Sequence, residues 1–219
     1  WNGDVTRQIE NGAGQYALNI RIPGWVKGEV VPSNLYTYAD GKRLGYTIKV
    51  NGQEVTPDST LSNVNCQLSK GYFIIDRQWK KGDKVEIHFD MEPRIVRANG
   101  QVAADKGRVA IERGPIVYCA EHPDNSCDVL SVLINQEPTF QMGTKTIMNT
   151  TVQTLTTDAQ TLTFDKQGKL QTHDEHLVLI PYYAWAHRGP GKMTVWIPQD
   201  LNATTPALPA SIASESKIT

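Results

Sequence analysis

The sequence lacks the features of several large protein classes. No apolar run approaches the roughly 20 residues that a membrane-spanning helix requires, so we expect no membrane span. The net charge is only -1, from 22 basic and 23 acidic residues, and no basic face predicts binding to nucleic acid. The chain opens on WNGD, with neither an initiator Met nor a signal peptide. We therefore expect a chain that is processed or cut from something longer.

Cysteine is also scarce. The 219 residues include only Cys66, Cys119 and Cys127, which is too few for a disulfide framework, so at most one bridge could form. Cys119, His122 and Cys127 are soft metal ligands at short range, but a zinc site usually needs four ligands at tighter spacing. We predict no metal site, and we favour free thiols over a disulfide between Cys119 and Cys127.

Long helical periodicity is absent, and short strand patterns take its place. Residues 16–22 alternate between apolar and polar side chains and stop at a Pro-Gly pair, as strands do. A second apolar run meets Asn51-Gly52, the sequence of a tight hairpin. Lys80 to Asp83 is predicted to close another hairpin. Alternation returns in the strand after it, with one apolar face formed by Val85, Ile87 and Phe89.

Regularly spaced strands without long helices predict an all-β protein. We expect two antiparallel β-sandwich, jelly-roll-like domains packed together. The polar run HPDNS at residues 122–126 is interpreted as a linker or long turn. The first sandwich would then span residues 1–121 and the second, smaller one residues 122–199. Residues 200–219 are rich in Ala, Thr, Ser and Pro and are predicted to form a flexible tail.

Catalytic motifs are missing as well. There is no G-x-S-x-G elbow and no H-E-x-x-H pair, the signatures of two common hydrolase classes. A glycosidase needs two carboxyl groups across the scissile bond, and no acidic residue here lies in a defining signature. Asp174 and Glu175, between His173 and His176, are interpreted as solvated turn residues in preference to an acid/base or metal site. We predict no catalytic residue and no cofactor.

One aromatic cluster is the main positive feature. Tyr182, Tyr183, Trp185 and Arg188 follow directly on a predicted buried strand. Aromatic faces beside an Arg can stack on sugar rings, whose C–H faces are apolar. The same residue types are favoured at domain interfaces and in cores. The cluster is therefore a candidate sugar-binding or domain-interface site, with core packing as the third interpretation.

Six phrases, taken in order, resemble one enzyme family. The ordered set covers nearly the whole chain except the tail and is similar to the C-terminal portion of glycoside hydrolase family 127, the β-L-arabinofuranosidase-like enzymes. The phrases are residues 17–25 (ALNIRIPGW), 50–53 (VNGQ), 71–83 (GYFIIDRQWKKGD), 91–94 (MEPR), 109–118 (VAIERGPIVY) and 180–196 (IPYYAWAHRGPGKMTVW).

The resemblance implies what this region does. In that family an (α/α)6 barrel carries catalysis and two β-sandwich domains follow it. The nucleophilic Cys, its zinc-binding partners and the acid/base Glu would belong to the barrel, so Cys119 is not expected to be the nucleophile.

We therefore expect a non-catalytic accessory region of a bacterial glycoside hydrolase that acts on plant-type arabinofuranosides or related glycans. It would support the missing catalytic barrel and contribute to oligomerisation. A carbohydrate-binding module and a pure protein-interaction scaffold are the alternatives. A homo-oligomer and a glycan are the further partners left open, and family context implies a periplasmic or extracellular setting.

Overall fold

The structure, a computed structural model, describes residues 2–57 and 64–208. These residues form strands, turns and very short helical pieces, and all strand pairing between named strands is antiparallel. The predicted all-β class with antiparallel, sandwich-like domains is confirmed, while the jelly-roll-like connectivity stays a prediction. Among the described residues, no helix is long and apolar enough to cross a membrane.

The described strands are numbered in chain order. They are β1 (Asp4–Gln8), β2 (Gly14–Arg21), β3 (Tyr36–Tyr38), β4 (Tyr46–Val50), β5 (Gln53–Glu54), β6 (Val64–Ser69), β7 (Tyr72–Trp79), β8 (Lys84–Phe89), β9 (Pro93–Ala98), β10 (Arg108–Arg113), β11 (Ile116–Glu121), β12 (Val132–Ile134), β13 (Gln141–Ile147), β14 (Thr150–Phe164), β15 (Leu170–Pro181), β16 (Met193–Thr194) and β17 (Ile197–Pro198). The helical pieces are α1 (Gly24–Lys27) and the 3-10 turns Ala103–Asp105, His122–Asp124, Tyr182–Ala184 and Leu201–Ala203.

The chain divides into two compact units. The first unit comprises Trp1–Ser33 and Asp40–Glu92, and the second comprises Asn34–Ala39 and Pro93–Thr219. The chain therefore passes from the first unit into the second, returns, and crosses again.

The first unit contains two antiparallel sheets, ordered β1-β8-β4-β5 and β2-β7-β6. Its core forms because the apolar side chains of each strand fall on one face, as alternation requires. Val85, Ile87 and Phe89 are all buried as predicted. Trp79 is fully buried, and its indole Nε1 donates a hydrogen bond to the Tyr16 carbonyl at 3.0 Å, so burial leaves this polar group satisfied.

The Asn51-Gly52 hairpin is confirmed. Both residues have positive φ, 51° and 81°, as a two-residue type I′ turn requires, and β4 pairs with β5 around them.

The predicted hairpin at Lys80 to Asp83 is wrong. Its flanking strands β7 and β8 belong to different sheets of the first unit, so the turn carries the chain from one sheet to the other. Turn residues specify a reversal of direction but not which sheet receives the next strand.

The second unit contains one ten-stranded sheet among its described residues. The central order is β12-β14-β15-β11-β10-β9-β3, and β13, β16 and β17 pair with β14, β11 and β10 respectively. Strands β14 and β15 form a long hairpin whose buried side chains include Leu155, Leu177 and Leu179.

The long hairpin corrects the prediction that Asp174 and Glu175 are turn residues. These residues lie in β15, where Asp174 pairs with Gln160 and His176 with Asp158 across β14. Asp174 is exposed and Glu175 half-buried, but they occupy a strand and not a turn. Most side chains of β15 are exposed here, whereas Ala159, Thr161 and Leu162 of the paired strand β14 are buried.

The division of the chain differs from the predicted boundary at residue 121. It falls between Glu92 and Pro93 and transfers Asn34–Ala39 to the second unit. Strand β9 pairs with β10, β10 with β11, and β11 with β15, which makes all three part of the ten-stranded sheet of the second unit.

The run at residues 122–126 is a turn inside the second unit and not a linker. The Asn125 side chain donates to the Glu121 and Val178 carbonyls at 2.9 and 3.1 Å, and the Val178 N–H donates back to its Oδ1 at 2.8 Å. A side-chain amide thus substitutes for main-chain pairing between β11 and β15.

The predicted tail also differs in its described part. Residues 200–208 are anchored, because the Ala207 N–H donates to the Leu162 carbonyl at 2.8 Å and the Ala207 carbonyl accepts from the Phe164 N–H at 2.9 Å. The Arg108 guanidinium donates to the Ala203 carbonyl at 2.8 Å. Residues 209–219 of the predicted tail lie outside the described residues.

Candidate functional site

The aromatic segment begins where β15 ends. Pro181 closes the strand, and Tyr182–Ala184 form a single 3-10 turn. Residues three apart eclipse one another in such a turn, which brings the rings of Tyr182 and Trp185 to 5.9 Å between centroids with 31° between their planes. Tyr182 and Tyr183 are 44% and 51% exposed, so their rings are available at the surface.

Trp185 anchors this segment. It is half-buried and packs on a small apolar cluster. The buried members of that cluster are Cys119, Ile147, Val152, Ile180 and Ala184. Ile147 and Val152 come from the ends of β13 and β14, so the hairpin between those strands supplies part of the surface on which Trp185 rests. The indole is therefore both a packing residue and a partly accessible one.

Arg188 is held by two buried carboxylates. Its Nη1 and Nη2 donate to Oδ1 and Oδ2 of Asp124 at 2.7 and 2.5 Å, and Nη2 also contacts Glu121 Oε2. The Asp124 and Glu121 side chains are 0% and 4% exposed, and Lys145 pairs with Asp124 from β13. Such bidentate, charge-assisted pairing fixes the guanidinium geometrically. Two positive and two negative side chains make this group neutral.

The pKa of Asp124 reflects these contacts. Burial alone would raise the pKa of this carboxyl. The hydrogen bonds and charges of Arg188 and Lys145 outweigh it, and the Asp124 pKa lies below its usual range. Hydrogen bonding to Asp124 raises the pKa of Arg188 in turn. Asp124 and Arg188 are therefore both charged at neutral pH.

Glu121 also stabilises an unusual backbone conformation. Ala186 has a φ of 67°, the left-handed region that costs a residue with a Cβ about 1–2 kcal/mol. Its N–H donates to Glu121 Oε1 at 2.9 Å. Since the same carboxylate contacts Arg188, one buried side chain fixes the segment at two points.

The four predicted site residues therefore lie together but in different environments. Tyr182 and Tyr183 are exposed, Trp185 is half-buried, and both terminal nitrogens of Arg188 are occupied by carboxylates. The sequence interpretation missed Glu121, Asp124 and Lys145, which determine the geometry of the segment. The two acids lie in the run EHPD, which ends a strand and begins the predicted linker or long turn.

All three cysteines are free thiols, so the alternative of a Cys119–Cys127 disulfide is wrong. Burial raises the pKa of the Cys119 thiol to about 12, with the Glu121 carboxylate adding to the shift. Burial likewise raises the pKa of Cys127. Within residues 2–57 and 64–208, no three His, Cys, Asp or Glu side chains are grouped to hold a metal ion.

Comparison with known proteins matches both units. Residues 1–91 match the β-L-arabinofuranosidase GH127 middle domain, and residues 93–198 match the glycoside hydrolase family 127 C-terminal domain. The chain belongs to glycoside hydrolase family 127. The family boundary coincides with the division between the two units at residues 92 and 93, and the resemblance noted in the sequence is confirmed.

Individual relatives agree. A non-reducing end β-L-arabinofuranosidase of Bifidobacterium longum is 30% identical over 216 residues, covering 90% of this chain and 28% of that protein. A solved GH127 β-arabinofuranosidase is 53% identical with a TM-score of 0.86, covering 95% of this chain and 31% of its own. A GH127 β-L-arabinofuranosidase from Geobacillus stearothermophilus T6 is 29% identical with a TM-score of 0.69, covering 90% of this chain and 29% of its own. The chain thus spans less than a third of the length of these relatives.

Proposed function

We propose that this chain is the accessory region of a larger family 127 glycoside hydrolase that acts on arabinofuranose-containing glycans. In this proposal it supports a catalytic domain, the (α/α)6 barrel that the family resemblance implies, and performs no hydrolysis itself. The observation that carries the proposal is the consecutive match to the family's middle and C-terminal domains in a chain spanning 28% to 31% of the relatives.

The chemistry of the acidic residues near the aromatic segment supports this role. A general acid in a glycosidase needs a carboxyl whose proton can be exchanged near neutral pH. Asp124 instead has a lowered pKa and is enclosed by Arg188 and Lys145. Glu121 is occupied by Ala186 and Arg188. These carboxylates stabilise structure.

Cys119 supports the same conclusion. A nucleophilic cysteine acts as the thiolate and must be reached by substrate. Cys119 is 0% exposed, and its pKa of about 12 keeps the thiol protonated at neutral pH.

The test compares the isolated 219-residue chain with the complete gene product on a chromogenic β-L-arabinofuranoside. We expect the complete protein to hydrolyse it and the isolated chain to match a buffer blank. Hydrolysis by the isolated chain above the blank, after exclusion of a contaminating enzyme by repurification, would overturn the proposal. A second arm measures support: complete protein truncated after the catalytic domain should lose solubility or melt at a lower temperature than the intact protein.

A further inference from the structure

We propose that the exposed rings of the aromatic segment form a binding platform for an uncharged oligosaccharide, with Arg188 as a positioning residue that does not touch the ligand. The platform is defined as Tyr182, Tyr183 and Trp185. The inference rests on the proposed function for its ligand class, because arabinofuranose-containing glycans are neutral.

The first step is the presentation of the rings. The ring centroids of Tyr182 and Trp185 lie 5.9 Å apart with 31° between the ring planes, and Tyr182 and the adjacent Tyr183 are 44% and 51% exposed. Tyrosine combines an apolar face with a hydroxyl that can donate or accept a hydrogen bond. A sugar ring offers the matching pair, an apolar C–H face edged by hydroxyls.

The second step is rigidity. The backbone turns through the left-handed Ala186, whose N–H is bound to Glu121, and the segment is fixed again two residues later by the Arg188 fork on Asp124. Strained backbone held by a buried polar network is a recurrent property of ligand-binding loops. A surface fixed before binding loses less entropy when the ligand arrives.

The third step is charge. Arg188 belongs to the predicted sugar-binding or domain-interface cluster, but Asp124 and Glu121 occupy both of its terminal nitrogens. Those two carboxylates are balanced by Arg188 and Lys145. No net charge at the base of the platform favours an acidic or a basic ligand, so the chemistry selects a neutral one.

The experiment titrates the chain with neutral arabino-oligosaccharides and, separately, with oligogalacturonate as a charged comparator, using calorimetry. We expect heat only with the neutral ligand. Tyr182→Ala should raise the Kd roughly tenfold, because it removes one ring contact with the ligand. Tyr182→Phe should bind within about twofold of the parent because the ring remains. Tyr72→Ala is the matched control: this tyrosine is 41% exposed in the first unit, beneath the Arg21 guanidinium, and its loss should leave the Kd unchanged.

Arg188→Lys tests the positioning role. It keeps the charge but removes the bidentate fork, so we expect a higher Kd while the ligand preference for neutral over charged oligosaccharide is retained. A direct contact between Arg188 and the ligand would instead change that preference.

Three results would overturn the proposal: no heat with neutral oligosaccharide, binding that Tyr182→Ala leaves intact, or burial of the platform by protein. The last is measured by hydroxyl-radical footprinting of the complete gene product, where we expect Tyr182 and Tyr183 to be oxidised without ligand and protected with it. Protection without ligand would assign the rings to a protein interface. If the isolated chain neither binds oligosaccharide nor hydrolyses substrate, only the proposal of a glycan site fails. If it binds oligosaccharide and also hydrolyses substrate, only the proposed accessory role fails.

Discussion

Asn51 and Asp83 join two turns of the first unit. Asn51 Nδ2 donates to Asp83 Oδ1 at 2.9 Å, and the other carboxylate oxygen accepts from Lys80 N–H at 2.9 Å. One turn connects β4 to β5, and the other carries the chain from β7 in one sheet to β8 in the other. The Asp83 carboxylate therefore links the β4–β5 hairpin to the connection between the two sheets.

Removing this carboxylate should destabilise the first unit. We expect Asp83→Ala to lower the free energy of unfolding by about 1–3 kcal/mol, because it removes two part-buried hydrogen bonds to a charged acceptor. Urea unfolding followed by tryptophan fluorescence measures the change, since Trp79 is buried in the same unit. Glu54→Gln, an exposed acid on β5, is the control. Equal effects of the two substitutions would contradict the assigned role.

The same carboxylate predicts a pH dependence. The Asn51 hydrogen bond, then the Lys80 N–H and the nearby cations, lower the pKa of Asp83 in the folded state. A lowered folded pKa stabilises the protein above the unfolded pKa of about 3.9 and loses that contribution as pH falls through the folded value. The difference in unfolding free energy between the parent and Asp83→Asn should therefore be largest near neutral pH and shrink below about pH 4.

Arg188→Ala should be more damaging than an ordinary surface change. It leaves Glu121 and Asp124 buried with only Lys145 as a counter-charge, and breaking a buried ion pair costs about 3–5 kcal/mol. Because Asp124 has a lowered pKa in the folded parent, the deficit should diminish as acid protonates the carboxylates. Thermal unfolding at several pH values measures both effects. Arg97→Ala, an exposed arginine on β9, should change stability by less than about 1 kcal/mol, and a deficit that persists unchanged in acid would argue against a charge-based mechanism.

Thiol reactivity should follow burial. We expect Cys127, which is partly exposed, to react first with a thiol reagent, and the buried Cys66 and Cys119 to react only on unfolding. Raised pKa values slow all three, because the thiolate is the reactive form. Thiol counting before and after denaturation, with intact mass under non-reducing conditions, checks this. A mass lower by the two hydrogens of one disulfide would show that two of the three cysteines are bridged in solution.

The hairpin between β13 and β14 offers a stabilising change. Met148 and Asn149 both have positive φ, 49° and 62°, yet the type I′ turn strongly prefers Asn-Gly. Met148→Asn with Asn149→Gly should raise the free energy of unfolding by roughly 1 kcal/mol, since it relieves left-handed strain at a residue with a long side chain. Met148 is 68% exposed, so no packing is lost. Conversely, Gly52→Ala at another turn of this type should destabilise the protein, because it places a Cβ at a positive φ of 81°.

Local patterns predicted local structure and did not predict pairing partners. The alternation of Val85, Ile87 and Phe89 and the Asn51-Gly52 turn contain their own physical reasons within a few residues, and both are confirmed. The run at residues 122–126 resembled a linker because Asn125 is polar, but its amide completes the pairing of β11 with β15, whose Val178 lies 53 residues away. Polar residues 171–176 form a strand only because β14 supplies their partner.

The candidate site shows the same limit. The aromatic residues could be identified because they lie close together in the sequence. Their position at the end of a strand could be predicted from the apolar run that precedes them. The partners of Arg188 could not be predicted, because Glu121 and Asp124 are separated from it by 67 and 64 residues. Long-range ion pairs depend on how β11 and β15 are placed side by side, which the sequence alone does not specify.

The segment Asn34–Ala39 belongs to the second unit although it lies in the sequence between two parts of the first, and this limits how the two domains can be separated. Strand β3 pairs with β9, and the Tyr38 hydroxyl donates to Glu112 at 2.8 Å while the Arg94 guanidinium lies over its ring. If the chain were divided after Glu92, one fragment would contain β9, Arg94 and Glu112 and the other would contain Tyr38. The two family domains therefore cannot be separated by a single cut. A fragment that contains the whole second unit must also include the six residues Asn34–Ala39.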